Sequence, residues 1–181
     1  QLHGKTLGIV GYVMGSGSRT QHMRRLVTEA DVVLLVGNRA NQNGTDSWTL
    51  YPANARYIQI DIDPSEIGRN HEAVRLVGDA RLSLQALTAA LVREDLSQRR
   101  ASRTGIEAAI KDGVAAWSKL TKAIRGEQRT PIRPERVMAL LDGMIDADTI
   151  MVADASYSSI WITNYLTARR PGQRFLTPRG I

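Results

Sequence analysis

The sequence predicts an α/β chain built in two pieces, and three observations carry that prediction. Short β-branched runs alternate with helical patterns through the first half. A charged, alanine-rich stretch with a one-sided helical period follows near the middle. A second and shorter set of strand and helix signals then closes the chain. With 181 residues and 43% hydrophobic content, a core can be buried in one domain or in two small ones.

Each element has its own reason. Residues 6–11, Thr6-Leu7-Gly8-Ile9-Val10-Gly11, read as a buried strand running into the glycine-rich turn Gly11 to Ser18. Arg19 to Ala30 spaces Met23, Leu26, Val27 and Ala30 as one helix face. Asp31 to Gly37 is a continuous apolar run of strand length, as in a parallel sheet covered on both faces. A polar loop follows, and Tyr57 to Asp63 then alternates apolar and polar residues before Pro64. Val74 to Asp79 is a fourth strand, leading into a helix over 80–94 with Leu84, Leu87 and Leu91 in one stripe.

From Asp95 to about Arg129 the pattern is that of a connecting helix, with Ile106, Ile110, Val114, Trp117 and Leu120 recurring every three to four residues. Pro134 stands at a first helical position ahead of Val137, Leu140, Leu141 and Met144. Thr149 to Asp154 reads as a strand and Ala155 to Ser159 as a small polar turn. A short helix through Trp161 and Tyr165 comes next, then a strand over 174–177. The expected organisation is therefore residues 1–94, a helical linker over 95–130, and the beginning of a second α/β piece over 131–181.

Composition narrows the function classes. No apolar run approaches the roughly 20 residues needed to cross a bilayer, and the start has no secretory apolar region. A soluble, cytoplasmic protein with no membrane partner is expected, cut from something longer because the chain does not begin with Met. Zero cysteines exclude disulfides, thiolate zinc sites and a cysteine nucleophile. The net charge of +6 raises nucleic acid as a partner. However, the arginines are spread along the chain and no recognition signature accompanies them, so no nucleic acid is expected.

Three turns can carry chemistry. A strand entering glycines and then a helix brings backbone N–H groups and a partial positive charge to a phosphate. Gly11, Gly15, Ser16, Gly17 and Ser18 fit that recipe, as they also fit a tight turn without ligand. Gly37, Asn38 and Arg39 follow the second strand, where open parallel sheets bind ligands. Arg39 can meet a phosphate bidentately, or the segment is a surface turn. Asp61 can take a ribose or adenine donor, while Asp63 is read as the cap of a following helix. Ser156, Tyr157, Ser158 and Ser159 end a later strand and can hold a diphosphate through hydroxyls and N–H groups. A nucleophilic serine would need an elbow motif and a base, yet only His3, His22 and His71 exist, all placed in the first piece. No histidine pair has metal-ligand spacing, so no metal site is expected in the chain.

These turns, in this order, resemble thiamine diphosphate-dependent enzymes of the acetolactate synthase type. The segments that carry the likeness are Glu29-Ala30-Asp31-Val32-Val33-Leu34-Leu35-Val36-Gly37-Asn38-Arg39, then Ile58-Gln59-Ile60-Asp61-Ile62-Asp63-Pro64-Ser65-Glu66-Ile67-Gly68, then Val77-Gly78-Asp79-Ala80. In the second piece, Asp154-Ala155-Ser156-Tyr157-Ser158-Ser159-Ile160-Trp161 stands where the family usually has Asp-x-Gly-Gln-His-Gln-x-Trp. Phe175-Leu176-Thr177-Pro178-Arg179-Gly180 resembles the segment before the family's glycine-rich helix.

The resemblance implies a Rossmann-like parallel sheet, the latter part of a central domain, followed by a linker and the start of the diphosphate-binding domain. It implies decarboxylation or carboligation of 2-keto acids, transferase or lyase chemistry, in an oligomer (dimer or tetramer) of one chain. Thiamine diphosphate would meet Ser156 to Ser159. Mg²⁺ would be held by a Gly-Asp-Gly…Asn segment beyond Ile181, and the activating glutamate belongs to another domain, so the fragment alone would be inactive. Central domains of this type hold FAD in some members, ADP in others and nothing in many. A non-catalytic FAD- or ADP-binding module is therefore the alternative. The serines that replace the usual turn residues point to a relative with a different acceptor or to simple decarboxylation.

Overall fold

The structure, a computed structural model, describes Leu7 and residues 18–177. Apart from Leu7, the strand read over 6–11, then Gly11, Gly15, Ser16 and Gly17 of the first turn, and Pro178 to Gly180 lie outside the described residues. The chain forms two compact units. The first contains residues 23–111; the second contains 18–22 and 112–177.

The first unit is built on a parallel sheet in the order β1 (Val32–Val36), β2 (Arg56–Asp61), β3 (Val74–Val77). Its register sets Val36 beside Ile60, and Ile60 beside Leu76. Beyond the paired residues the ladder continues, with Gly37 N–H donating to the Ile60 carbonyl and Gly78 N–H to that of Asp61, both at 2.9 Å. Three strand ends thus come level at one edge of the sheet, as in other open α/β sheets.

β1 is apolar throughout, but one of its faces is covered and the other is open. Val33 and Leu35 are buried with Ala40 and Tyr57, whereas Val32 and Leu34 stay 42% and 39% exposed. The expectation of cover on both faces therefore fails among the described residues. Crossovers by α-helix fail too, because a 3₁₀ segment over Asn43–Thr45 and turns join these three strands. After β2, Pro64 to Gly68 is a run of turns instead of a helix, since Gln59 takes up the backbone groups of that loop and Gly68 turns left-handed at φ +77. The helix expected over 19–30 shrinks to a 3₁₀ turn over Gln21–Met23 and α1 (Arg25–Thr28), the first turn being tightened by a Gln21 N–H bond to the Ser18 carbonyl.

The loop between β1 and β2 has an unusual backbone. Asp46, Ser47 and Trp48 are consecutive left-handed residues, at φ 52, 56 and 63. Hydrogen bonds hold them from both sides: Ser47 N–H donates to the Gln42 carbonyl at 2.8 Å and Leu50 N–H to that of Thr45 at 2.9 Å. Thr45 and Leu50 are thereby drawn into the interior, at 1% and 0% exposure.

α2 (Ala80–Leu91) begins where Asp79 accepts the Leu82 N–H at 2.9 Å, a side-chain cap on a free donor of the first turn. None of its residues is buried, so the leucine stripe read from the sequence is largely uncovered in this chain. α3 (Ser97–Gly126) is a helix of 30 residues where the sequence predicts a connecting helix, and the division between the two units falls within it. Its buried positions are Ile110, Gly113, Trp117 and Thr121, while Ile106 and Leu120 of the expected stripe are exposed.

In the second unit, α4 (Pro134–Met144) starts with its proline, whose missing N–H costs nothing in a first turn. β4 (Met151–Val152) and β5 (Phe175–Leu176) pair in parallel, and α5 (Tyr157–Tyr165) lies between them in sequence. The core here is aromatic. Trp117 and Tyr165 are each 4% exposed and meet edge to face at 5.3 Å, with Trp161 tilted against Tyr165 at the same distance. Ser18 is buried beside them, and Asn164 accepts its hydroxyl at 3.3 Å and the Arg19 N–H at 3.1 Å.

Candidate functional site

Two separate places meet the chemical expectations, one in each unit. In the first, the level strand ends bring Gly37, Asn38, Arg39 and Asp61 to one edge. Gly37 sits at φ +55 with open space where a Cβ would stand, a left-handed turn that lets the chain leave β1 sharply. Asn38 spends its side-chain oxygen on its own turn, accepting the Ala40 N–H at 2.7 Å. Asp61 does likewise with the Asp63 N–H at 3.0 Å. Asp63 caps the following turn, accepting from the Ser65 N–H at 2.9 Å and its hydroxyl at 2.7 Å. Those bonds to Ser65 hold its carboxyl below the usual aspartate value.

Three residues that the sequence reading passed over organise this edge. Gln59 is 3% exposed inside β2, and its amide donates to the carbonyls of Asn38 and Glu66, both at 3.1 Å, while accepting the Gly68 N–H at 2.9 Å. Glu66 is nearly buried, with one oxygen 3.5 Å from Arg39 and 3.6 Å from Arg69. Its other oxygen is buried without a hydrogen-bond partner among the described residues. Asn70 ties the loop back by donating to the Arg39 carbonyl at 2.8 Å. The result is a rigid loop pair that presents two exposed guanidiniums around one carboxylate. Next to it, His71 stacks on Tyr57 at 4.5 Å and meets Tyr51 edge-on at 5.9 Å. Burial pushes the His71 imidazole below its ordinary value.

In the second unit, the serine turn leaves β4 and becomes the first turn of α5. Ser156 is the cap: its hydroxyl accepts the Ser158 N–H at 3.3 Å and lies 2.9 Å from the Ser158 hydroxyl. Ser158 in turn donates to the Asp154 carbonyl at 3.1 Å. These two serines and Tyr157 are exposed, Tyr157 at 77%. Ser159 faces inward instead, 3% exposed, with its hydroxyl donating to the Ser156 carbonyl at 2.8 Å. Of the four turn residues, three therefore face outward and one locks the turn. No signal in the sequence separates Ser159 from its neighbours, because its inward turn rests on a hydroxyl bond to a main-chain carbonyl three residues back.

Beneath this turn runs an apolar groove of about 610 Å³ between α4, β4 and α5, with Val137, Met138, Leu141 and Trp161 among its walls and Asp154 and Ser158 at its mouth. No group of three His, Cys, Asp or Glu among the described residues is placed to hold a metal ion. No described helix is long and apolar enough to cross a membrane. His22, assigned to the first piece from the sequence, groups with the second unit and is exposed.

Residues 3–87 match the family profile described as the central domain of thiamine pyrophosphate enzymes. The chain is 29% identical over 188 residues to a probable acetolactate synthase large subunit of Methanococcus aeolicus, an alignment that covers 99% of this chain and 30% of the relative. The corresponding protein of Methanocaldococcus jannaschii is also 29% identical, with 99% of this chain and 29% of that protein covered. A benzoylformate decarboxylase of Pseudomonas aeruginosa is 28% identical over 159 residues, covering 86% of this chain and 26% of its own length. The chain thus spans less than a third of the length of the curated relatives it matches.

Proposed function

We infer, from the match of residues 3–87 to the central domain of thiamine pyrophosphate enzymes, that the protein is part of a thiamine diphosphate-dependent enzyme that decarboxylates or joins 2-keto acids. The observation that carries this reading is the length of the likeness. It runs past the central-domain match into the second unit, through β4, the serine turn and α5. A nucleotide-binding module with only a central domain would have no reason to continue so.

The donors present fit a diphosphate. A turn that follows a parallel strand and opens a helix offers N–H groups to an anion, and Ser156 and Ser158 add two exposed hydroxyls. We assign Ser156, Tyr157 and Ser158 to hold and orient the diphosphate, with Ser159 keeping the turn closed from below. When bound, thiamine diphosphate supplies the electron sink for breaking or making the bond next to the keto carbon. This chain's residues position it; the groups that activate it, and the ligands of any Mg²⁺, are placed elsewhere in the enzyme. Domain limits near residues 94 and 131 go with this reading, as does assembly with a second copy of the chain.

In the first unit, Gly37, Asn38, Arg39 and Asp61 mark where a nucleotide such as FAD would lie if the enzyme carries one. The self-satisfied bonds of Asn38 and Asp61 support a loop-building role at least as well. Flavin absorbance of the purified enzyme separates these two roles.

The test is a titration of the whole enzyme with thiamine diphosphate and Mg²⁺, followed by carbon dioxide release from a panel of 2-keto acids. Saturable cofactor binding, weakened about tenfold by Ser158→Ala through loss of one charge-assisted hydrogen bond, is the expected result. Absence of both cofactor binding and keto-acid turnover would overturn the proposal.

A further inference from the structure

The far end of α5 gathers three guanidiniums around one carboxylate, beside the last turns of α3 and α4. Arg19 and Arg125 each lie 5.6 Å from the ring centre of Trp117, and Arg125 is also 6.0 Å from that of Tyr165. Arg125 and Arg169 approach the same oxygen of Asp142, at 3.9 and 3.4 Å. The other Asp142 oxygen accepts the Thr167 N–H at 2.9 Å, and the Asp142 main-chain carbonyl accepts from Arg169. Three guanidiniums therefore share one carboxylate that is already engaged. Arg133 does not change this balance, because it pairs with Glu127 and Glu135.

The donors are also under-used. The Arg125 side chain is 24% exposed, and among the described residues no acceptor lies within hydrogen-bond distance of its guanidinium. Among the described residues the Arg19 guanidinium donates one bond, 3.3 Å to the Thr167 hydroxyl. Burial lowers the pKa of Arg19, Asp142 opposes the shift, and the neighbouring Arg125 lowers it further. Cation–π contact offsets part of that cost but brings no counter-charge.

We propose that Arg19, Arg125 and Arg169 form a site for a phosphate group at the carboxyl end of α5. The formal excess over Asp142 is two positive charges, offset in part by the helix ends, and a phosphoryl group brings roughly −1.5 to −2 at neutral pH with several acceptor oxygens to meet the guanidinium donors. Guanidinium forks suit phosphate geometry, and the residual exposure of Arg125 and Arg169 leaves them reachable. The site lies about 13 Å along α5 from the serine turn, the length of a nine-residue helix. It does not rest on the thiamine reading and stands or falls without it.

Calorimetric titration of the full chain with inorganic phosphate, at constant ionic strength against chloride, tests the proposal. Saturable binding is expected, with Arg125→Gln and Arg169→Gln each weakening it about tenfold or more. Arg125→Lys should retain part of it, and Arg103→Gln, on an exposed helix position paired with Glu107, should leave it unchanged. Phenyl phosphate separates the two sources of the group: weaker binding than phosphate means a free ion, equal or tighter binding means a phosphoryl group on a larger molecule. Circular dichroism melts of each variant show whether the fold is intact, and Arg169→Gln carries the test if Arg125→Gln unfolds. Phosphate heats no larger than those of chloride, or affinity unaltered in both glutamine variants, would overturn it.

Discussion

Replacing Gln59 with leucine should destabilise the first unit by about 2–4 kcal/mol. The side chain is 3% exposed and serves three backbone groups at once: the Asn38 and Glu66 carbonyls and the Gly68 N–H. Leaving a buried donor without an acceptor costs about 1–3 kcal/mol, and each carbonyl, with a second lone pair free for other partners, costs less. With roughly 1 kcal/mol for each of the two carbonyls the gross loss is about 3–5 kcal/mol, and leucine returns about 1 kcal/mol beyond the methylenes that Gln59 already buries, leaving about 2–4 kcal/mol. Urea unfolding followed by circular dichroism would read the loss as a lower midpoint at unchanged slope. Hydrogen exchange at Gly68 should quicken by about two powers of ten if its N–H opens with that free energy. Gln59→Glu sharpens the test, since it keeps the acceptor for Gly68 but sets a carboxylate against two carbonyls, and it should cost at least as much. A loss below about 1 kcal/mol for Gln59→Leu, or unchanged exchange at Gly68, would refute the claim that this one amide holds both loops.

Two further outcomes follow from the same physical rules. Asp79→Ala should cost about 1 kcal/mol by removing the α2 cap, and Asp79→Ser should recover most of it in thermal melts. His71 has a native pKa below its ordinary value, so the unfolded chain binds its proton more readily. Stability present above pH about 6.5 should then fall as the pH drops through that value towards the lowered native one, and His71→Phe, which can still stack on Tyr57, should flatten this part of the stability profile.

Much of the fold was legible in the residues. β1 announced itself by five consecutive apolar residues, α4 by its proline, and α2 by Asp79 ahead of a leucine period. The failures share one cause, which is that local pattern does not say where a polar group finds its partner. Gln59 looked like the solvent-facing member of an alternating strand, yet it is buried because two loops bring their carbonyls to it. Asp63-Pro64-Ser65-Glu66 carries every helix-start signal, and the same Gln59 contacts draw it into turns instead. Along α3 the period was read correctly but the face was shifted: Thr121 is inside and Leu120 outside. A hydroxyl bonded to the Trp117 carbonyl at 3.0 Å can sit in that position at little cost. At the serine turn the polar run was visible, while the inward turn of Ser159 depended on a bond to Ser156 that spacing alone does not reveal.

The left-handed run Asp46-Ser47-Trp48 has a consequence for how this loop can change over time. Each side chain there carries a native-state penalty of about 1–2 kcal/mol that glycine would remove. Glycine would also loosen the unfolded chain, giving back roughly 0.5–1 kcal/mol of that gain. The first effect is the larger, so glycine at these positions should be stabilising by about 0.5–1 kcal/mol where the side chain makes no other contact. Thr45 and Leu50, the buried residues on either side, have no such latitude. Glycine should therefore be accepted at Ser47 and Trp48, while Asp46, which pairs with Arg24, and the buried neighbours resist change.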